Sequence, residues 1–81
     1  LKVVLYTKTD CSLCGGVEEV LRELQQKIRF SLEIVDIEAD SAAYARYWDR
    51  IPVVTVGGTE VAHAPVDTAR LTADLKRLLS P

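Results

Sequence analysis

The sequence predicts an α/β fold of order βαβαββα, with a four-stranded mixed sheet carrying helices on both faces. Three observations predict it: β-forming apolar runs at Val3–Tyr6, Phe30–Ile37 and Val53–Val56, helical stripes between and after them, and a Gly57-Gly58 pair before the last strand. A helix between successive strands implies right-handed parallel crossovers, and the hairpin supplies an antiparallel edge. Helices covering both sides of such a sheet are its natural packing.

Val3, Val4, Leu5 and Tyr6 form a short continuous apolar run, the pattern of a strand covered on both faces. Thr7 to Asp10 is polar and turn-like. From Leu13 the apolar positions Val17, Val20, Leu21, Leu24 and Ile28 make one stripe of an amphipathic helix, with Glu18, Glu19, Arg22 and Glu23 on its other side. Gly15 and Gly16 read as part of the turn, with regular helix from Val17; the sharper reading is a bare backbone that lets a partner approach. Phe30, Leu32, Ile34, Val35 and Ile37 make the second strand. Asp40 and Ser41 are N-cap types ahead of a short helix through Ala42, Ala43, Tyr44, Ala45 and Tyr47. Ile51-Pro52 breaks any helix, because proline pushes its predecessor towards extended geometry. Val53 to Val56 is the third strand and Thr59 to Ala62 the fourth, joined through glycines that tolerate the positive φ of tight hairpins. Ala64-Pro65 ends that strand, Asp67 can cap, and Leu71, Leu75, Leu78 and Leu79 stripe a last helix.

The 81 residues suffice for one domain, residues 1–81, and not for two. A chain this short buries only roughly 60% of its unfolded surface. With 48% hydrophobic and 27% charged residues the composition is that of a globule, against disorder or low complexity. Ten basic and twelve acidic residues, interleaved to a net charge of -2, offer no basic stripe for nucleic acid. No apolar run approaches the roughly 18 residues of a membrane helix, and no basic-then-apolar leader opens the chain. The chain opens on Leu1 and contains no Met, which reads as a start that is missing or trimmed. The resulting expectation is an untargeted cytoplasmic protein.

Two cysteines, Cys11 and Cys14, are spaced C-x-x-C. A disulfide across so short a loop restrains the unfolded chain little, so it is a poor staple. A structural zinc site needs four ligands, and beyond these sulfurs the chain offers only His63 and carboxylates. A reversible thiol–disulfide pair needs two cysteines and no more; unremarkable thiols and a metal site remain the alternatives.

Cys11 falls where the first loop meets the first long helix. Unpaired N–H groups and the helix dipole stabilise a thiolate there, so its pKa is expected below the free value of about 8.5. Residues three apart share a helical face, and a modest adjustment of the first turn brings their Cβ atoms to the roughly 3.8 Å a disulfide requires. Cys11 would be outermost and exposed, and Cys14, one turn in, more buried. Lowering the pKa from about 8.5 to about 7 gives roughly 16-fold more thiolate at neutral pH, of which a Brønsted slope of about 0.4–0.5 returns about fivefold. The larger gain comes when Cys11 is the leaving group. Lys8 can set an ammonium near the thiolate or be a solvated loop lysine, and Asp10 raises the thiol pKa unless it turns to cap the helix, its expected role.

The stretch Tyr6-Thr7-Lys8-Thr9-Asp10-Cys11-Ser12-Leu13-Cys14 resembles the glutaredoxin pattern Tyr-Ser-Lys-x-x-Cys-Pro-Tyr-Cys, within the thioredoxin-like fold. Arg50-Ile51-Pro52-Val53 falls where that family has a short segment ending in a cis-proline. The resemblance implies that Cys11 is the nucleophile and Cys14 the resolving thiol. It also implies that Pro52 is cis beside the sulfurs and that the backbone of Ile51 pairs with an extended substrate. Ser12 and Leu13, in place of Pro-Tyr, join Lys8, Ile51 and Pro52 as candidate substrate contacts. Glutaredoxins follow their hairpin with Gly-Gly-x-Asp, which holds glutathione; here Ala62-His63-Ala64-Pro65-Val66-Asp67 stands instead, leaving Lys8 as the candidate carboxylate contact. The chain looks most like the small glutaredoxin-like domain proteins.

A small thiol–disulfide oxidoreductase follows from that resemblance, monomeric, with no resident cofactor or metal and no nucleic-acid or membrane partner. Its substrate would be a disulfide-containing protein or a small thiol's disulfide, and its external reductant glutathione or a thioredoxin reductase system. Two other classes stand beside it. One is a redox-inactive binding module anchored by Tyr44, Tyr47 and Trp48, a cluster otherwise read as core. The other is a metal or iron–sulfur dimer sharing its cysteines. His63 reads as an exposed loop residue.

Overall fold

The chain runs β1 (Lys2–Thr7), α1 (Ser12–Gln25), β2 (Ser31–Asp36), α2 (Ser41–Tyr47), β3 (Val53–Val56), β4 (Thr59–His63) and α3 (Thr68–Leu79) in a computed structural model that describes residues 2–80. Leu1, with the trimmed start read there, and Pro81, the other end of the expected domain, lie outside the described residues. The strands form one mixed sheet in the order β2-β1-β3-β4. This is the predicted α/β architecture. All four residues of β3 are buried, Thr55 among them, which is why the valines Val53, Val54 and Val56 do not alternate with exposed residues. Among the described residues no helix is long and apolar enough to cross a membrane.

One expectation of connectivity fails. β1 and β2 are parallel, but β3 runs antiparallel to β1 and so makes no second parallel crossover. The reason is reach. The seven residues of α2 rise about 10 Å, half of the roughly 20 Å spanned by a six-residue strand. The chain therefore re-enters the sheet from the end at which it left.

The stripe of α1, Val17, Leu21 and Leu24, packs with Leu71 and Leu75 of α3 onto Val3, Leu5, Val54 and Val56 of the sheet. On the opposite face Ala43 and Tyr47 of α2 meet Tyr6, Val35 and Val53, with Ile37 and Ile51 beside them. Helices thus cover both faces, as the burial of every residue of β3 requires. Tyr6 lies against Tyr47 with ring centroids 4.4 Å apart, and burial pushes its phenol above the ordinary value of 10.

Three boundaries differ from the sequence reading. Ile28 lies beyond α1, although its N–H still donates to the Leu24 carbonyl at 2.9 Å and its side chain packs on the same core. Ile37 leaves β2 for a 3-10 turn at Ile37–Ala39, because an Asp36 carboxylate oxygen accepts the Glu38 N–H at 2.9 Å and turns the chain. Phe30 precedes β2 yet is buried. The other caps fall as expected: Asp40 accepts the N–H groups of Ala42 and Ala43, and Asp67 that of Arg70. Gly57 and Gly58 turn the hairpin with φ of 58° and 87°.

The hairpin is irregular. Val54 pairs with Ala62 but Thr55 with Glu60, so Val61 is an extra residue on β4. Val61 and Ala62 both lean on the α1–α3 core. Glu60, opposite Thr55, is thereby turned to the α2 face.

Candidate active site

β1 delivers the chain through Lys8–Asp10 to Cys11, whose N–H donates to the Lys8 carbonyl at 3.3 Å. Cys11 itself is the N-cap of α1. Its backbone is extended (φ −94°, ψ 105°), and its Sγ accepts the Cys14 N–H at 3.2 Å. A disulfide joins Cys11 to Cys14, with Cα atoms 5.4 Å apart. The extended cap supplies the adjustment that two residues on a regular helical turn would need.

Two expectations are corrected here. Asp10 does not cap α1: the sulfur occupies the capping slot, and Asp10 is exposed one residue outside it. Nor does regular helix wait for Val17, since α1 begins at Ser12 and includes both glycines. A Cβ at Gly15 or Gly16 would meet nothing within 4 Å, so crowding within this chain does not explain them. Gly16→Ala is therefore expected to stabilise the protein by about 1 kcal/mol, raising Tm by about 4–8 °C in a domain of this size. A lower Tm by calorimetry would show that the backbone at Gly16 is not ordinary helix.

The cysteines differ in setting. Cys14 is buried, 5% exposed, whereas Cys11 is half-buried rather than fully open. Cys11 and Cys14 line a cleft of about 310 Å³ with Lys8, Thr9, Gly15, Glu18 and Asp36. Glu18 is held by Arg22 at 3.1 Å, while Lys8 is exposed and is the cation among the cleft's walls. Ser12 and Leu13 project outward, Leu13 with 62% of its surface exposed. Ile51 and Pro52 are not walls of the cleft, but register places them at its end of the sheet, because Val53 sits opposite Tyr6. The Ile51–Pro52 peptide bond is cis, as is Ala64–Pro65. Pro52 is buried and Ile51 half-buried. The aromatic cluster divides: Tyr47 is core, whereas Tyr44 and Trp48 are exposed. His63 is exposed, as expected, but it is the last residue of β4, paired with Val53, rather than a loop residue.

Sequence reasoning missed Glu18 and Asp36. Glu18 was within reach of it, four residues after Cys14 and so on the same helical face. Asp36 becomes a neighbour only through its pairing with Thr7 across β1 and β2.

The family model of the glutaredoxin-like domain (DUF836) matches residues 2–76. The chain belongs to this glutaredoxin-like family. It is 33% identical to an uncharacterized protein of Mycobacterium tuberculosis, over 94% of this chain and 84% of that protein. A solved structure from X. campestris is 32% identical over 93% of this chain and 96% of its own, with a TM-score of 0.74. Thioredoxin O2 of Arabidopsis thaliana in its oxidised state is 26% identical over 98% of this chain and 75% of its own, with a TM-score of 0.76. A glutaredoxin-like chain with the thioredoxin-like fold and a bonded cysteine pair at the tip of its first helix fits a redox role.

Proposed function

We propose that this protein is a small thiol–disulfide oxidoreductase in which Cys11 attacks and Cys14 resolves. One observation carries the reading: Cys11 lines the cleft at the opening of α1 with its Sγ accepting an N–H, while its bonded partner is buried. An amide hydrogen aimed at that sulfur favours its anion, and burial keeps the Cys14 thiol protonated.

In the reduced protein the Cys11 thiolate attacks one sulfur of a substrate disulfide. That S–S bond breaks, a mixed disulfide forms, and the first substrate thiolate leaves and takes a proton. Cys14 then gives up its proton and attacks the Cys11 sulfur, expelling the second substrate thiolate. Two electrons have passed to the substrate, and the protein is left with the Cys11–Cys14 disulfide. An external thiol reductant in a cytoplasmic setting, glutathione or a thioredoxin reductase system, returns the dithiol. Glutathione carries two carboxylates, and Lys8 is the cation among the cleft's walls, which favours a protein disulfide as substrate. Ile51 would offer its backbone to an extended substrate beside Pro52, which has no N–H to compete.

The test is a trap. Cys14→Ser incubated with a peptide disulfide should yield by mass spectrometry one adduct, located on Cys11. No adduct, or an equal adduct on Cys11→Ser, would overturn the assignment.

A further inference from the structure

The exit of α2 is tied across the sheet in a way that neither the family match nor the cysteine chemistry requires. The Arg50 guanidinium grips Glu60 of β4 with two parallel contacts, Nε to Oε2 at 3.3 Å and Nη2 to Oε1 at 3.2 Å. Its remaining nitrogen reaches Asp49 at 3.2 Å, and its carbon lies 5.4 Å from the Tyr47 ring centroid. The main chain repeats the tie: Arg50 N–H donates to the Tyr47 carbonyl and the Arg50 carbonyl accepts the Ala64 N–H, both at 3.0 Å. A guanidinium fork fits a carboxylate in one plane, so this pair fixes orientation as well as distance. Glu60 is available only because Val61 bulges; in an unbroken ladder Glu60 would point to the α1–α3 face.

We infer that Arg50, clamped by Glu60 through the β4 bulge, is a positioning residue that fixes the Ile51-Pro52 segment at the sulfurs' end of the sheet. The inference rests on the oxidoreductase reading, with that segment as the docking edge for the substrate. Arg50 is one residue from Ile51 and is anchored to the helix before the segment and to the strand beyond it. Loosening the clamp therefore misplaces the docking edge while leaving the disulfide at the tip of α1 untouched.

The experiment is a single turnover of pre-reduced protein against a cystine-bridged peptide, read as a half-saturation concentration and a limiting rate. Arg50→Ala should raise the half-saturation concentration about tenfold, a fraction of the ~100-fold that a misplaced reacting geometry can cost, and leave the limiting rate within about twofold. The alkylation rate of Cys11 by iodoacetamide, which needs no docking edge, should be unchanged. Exchanging the charges in Arg50→Glu with Glu60→Arg should recover binding to within about threefold of the wild type, which Arg50→Glu alone should not. If Arg50→Ala does not fold, Arg50→Lys keeps the charge and loses the fork, and should weaken half-saturation about threefold.

An unchanged half-saturation concentration in the folded variant overturns the inference. So does a loss in which alkylation falls in step, or one that charge exchange fails to repair. A Cys14→Ser variant that forms no Cys11 adduct defeats the oxidoreductase reading itself; a wild type that turns over while Arg50→Ala binds normally defeats the clamp alone.

Discussion

Cys11→Ser is expected to slow disulfide reduction by at least about a thousandfold, the order of loss that follows removal of a nucleophile. The argument separates chemistry from folding. Serine is among the best N-cap residues, so its hydroxyl can accept the Cys14 N–H in place of the sulfur. The reduced variant should therefore unfold at or near the temperature of the reduced wild type. What it lacks is a sulfur anion at neutral pH, and with it both the attacking group and the sulfur on which Cys14 would resolve the mixed disulfide. The companion measurement is the pH dependence of iodoacetamide alkylation in the reduced protein. Its midpoint for Cys11 should lie below about 8.5, because the anion is held by an aimed amide and the positive end of a 14-residue helix. Residual activity within about tenfold of wild type would move the nucleophile away from Cys11.

Leu21→Ala is expected to lower stability by about 3 kcal/mol. Leu21 is fully buried in the core where α1 and α3 meet the sheet, among Leu5, Val54 and Leu75. Truncation removes its apolar contacts and leaves a cavity that two helices and a sheet cannot easily close. In a domain of this size the loss corresponds to about 12–24 °C in Tm, against a total stability of only about 4–12 kcal/mol. Denaturant and thermal unfolding of the oxidised protein would measure it. A change below about 1 kcal/mol would show that the apolar stripe of α1 does not face the sheet as described.

The parts of the molecule legible in its sequence are those set by local pattern. The stripe at Val17, Leu21 and Leu24, the valine-rich Val53–Val56 and the two glycines of the hairpin each state their structure within a few residues. The cysteine pair at a helix tip was legible for the same reason. Contacts that depend on register were not. Nothing local tells Glu60 from an outward-facing strand residue, since the bulge at Val61 appears only once β4 pairs with β3. Direction in the sheet was misread because helix order says nothing of how far a seven-residue helix carries the chain. By residue type Asp10 is the natural cap, since carboxylates usually win that place; here the sulfur one residue later already accepts the amide.

The extra residue on β4 has a consequence for how copies of this protein meet. β4 is an outer strand, and outer strands offer unsatisfied amides and carbonyls to any neighbour of matching pitch. With Val61 out of step, its rungs are unevenly spaced, and a second molecule cannot zip along them in phase. Straightening the strand would make this margin a template for fibril growth, so the same irregularity that turns Glu60 towards Arg50 also discourages aggregation.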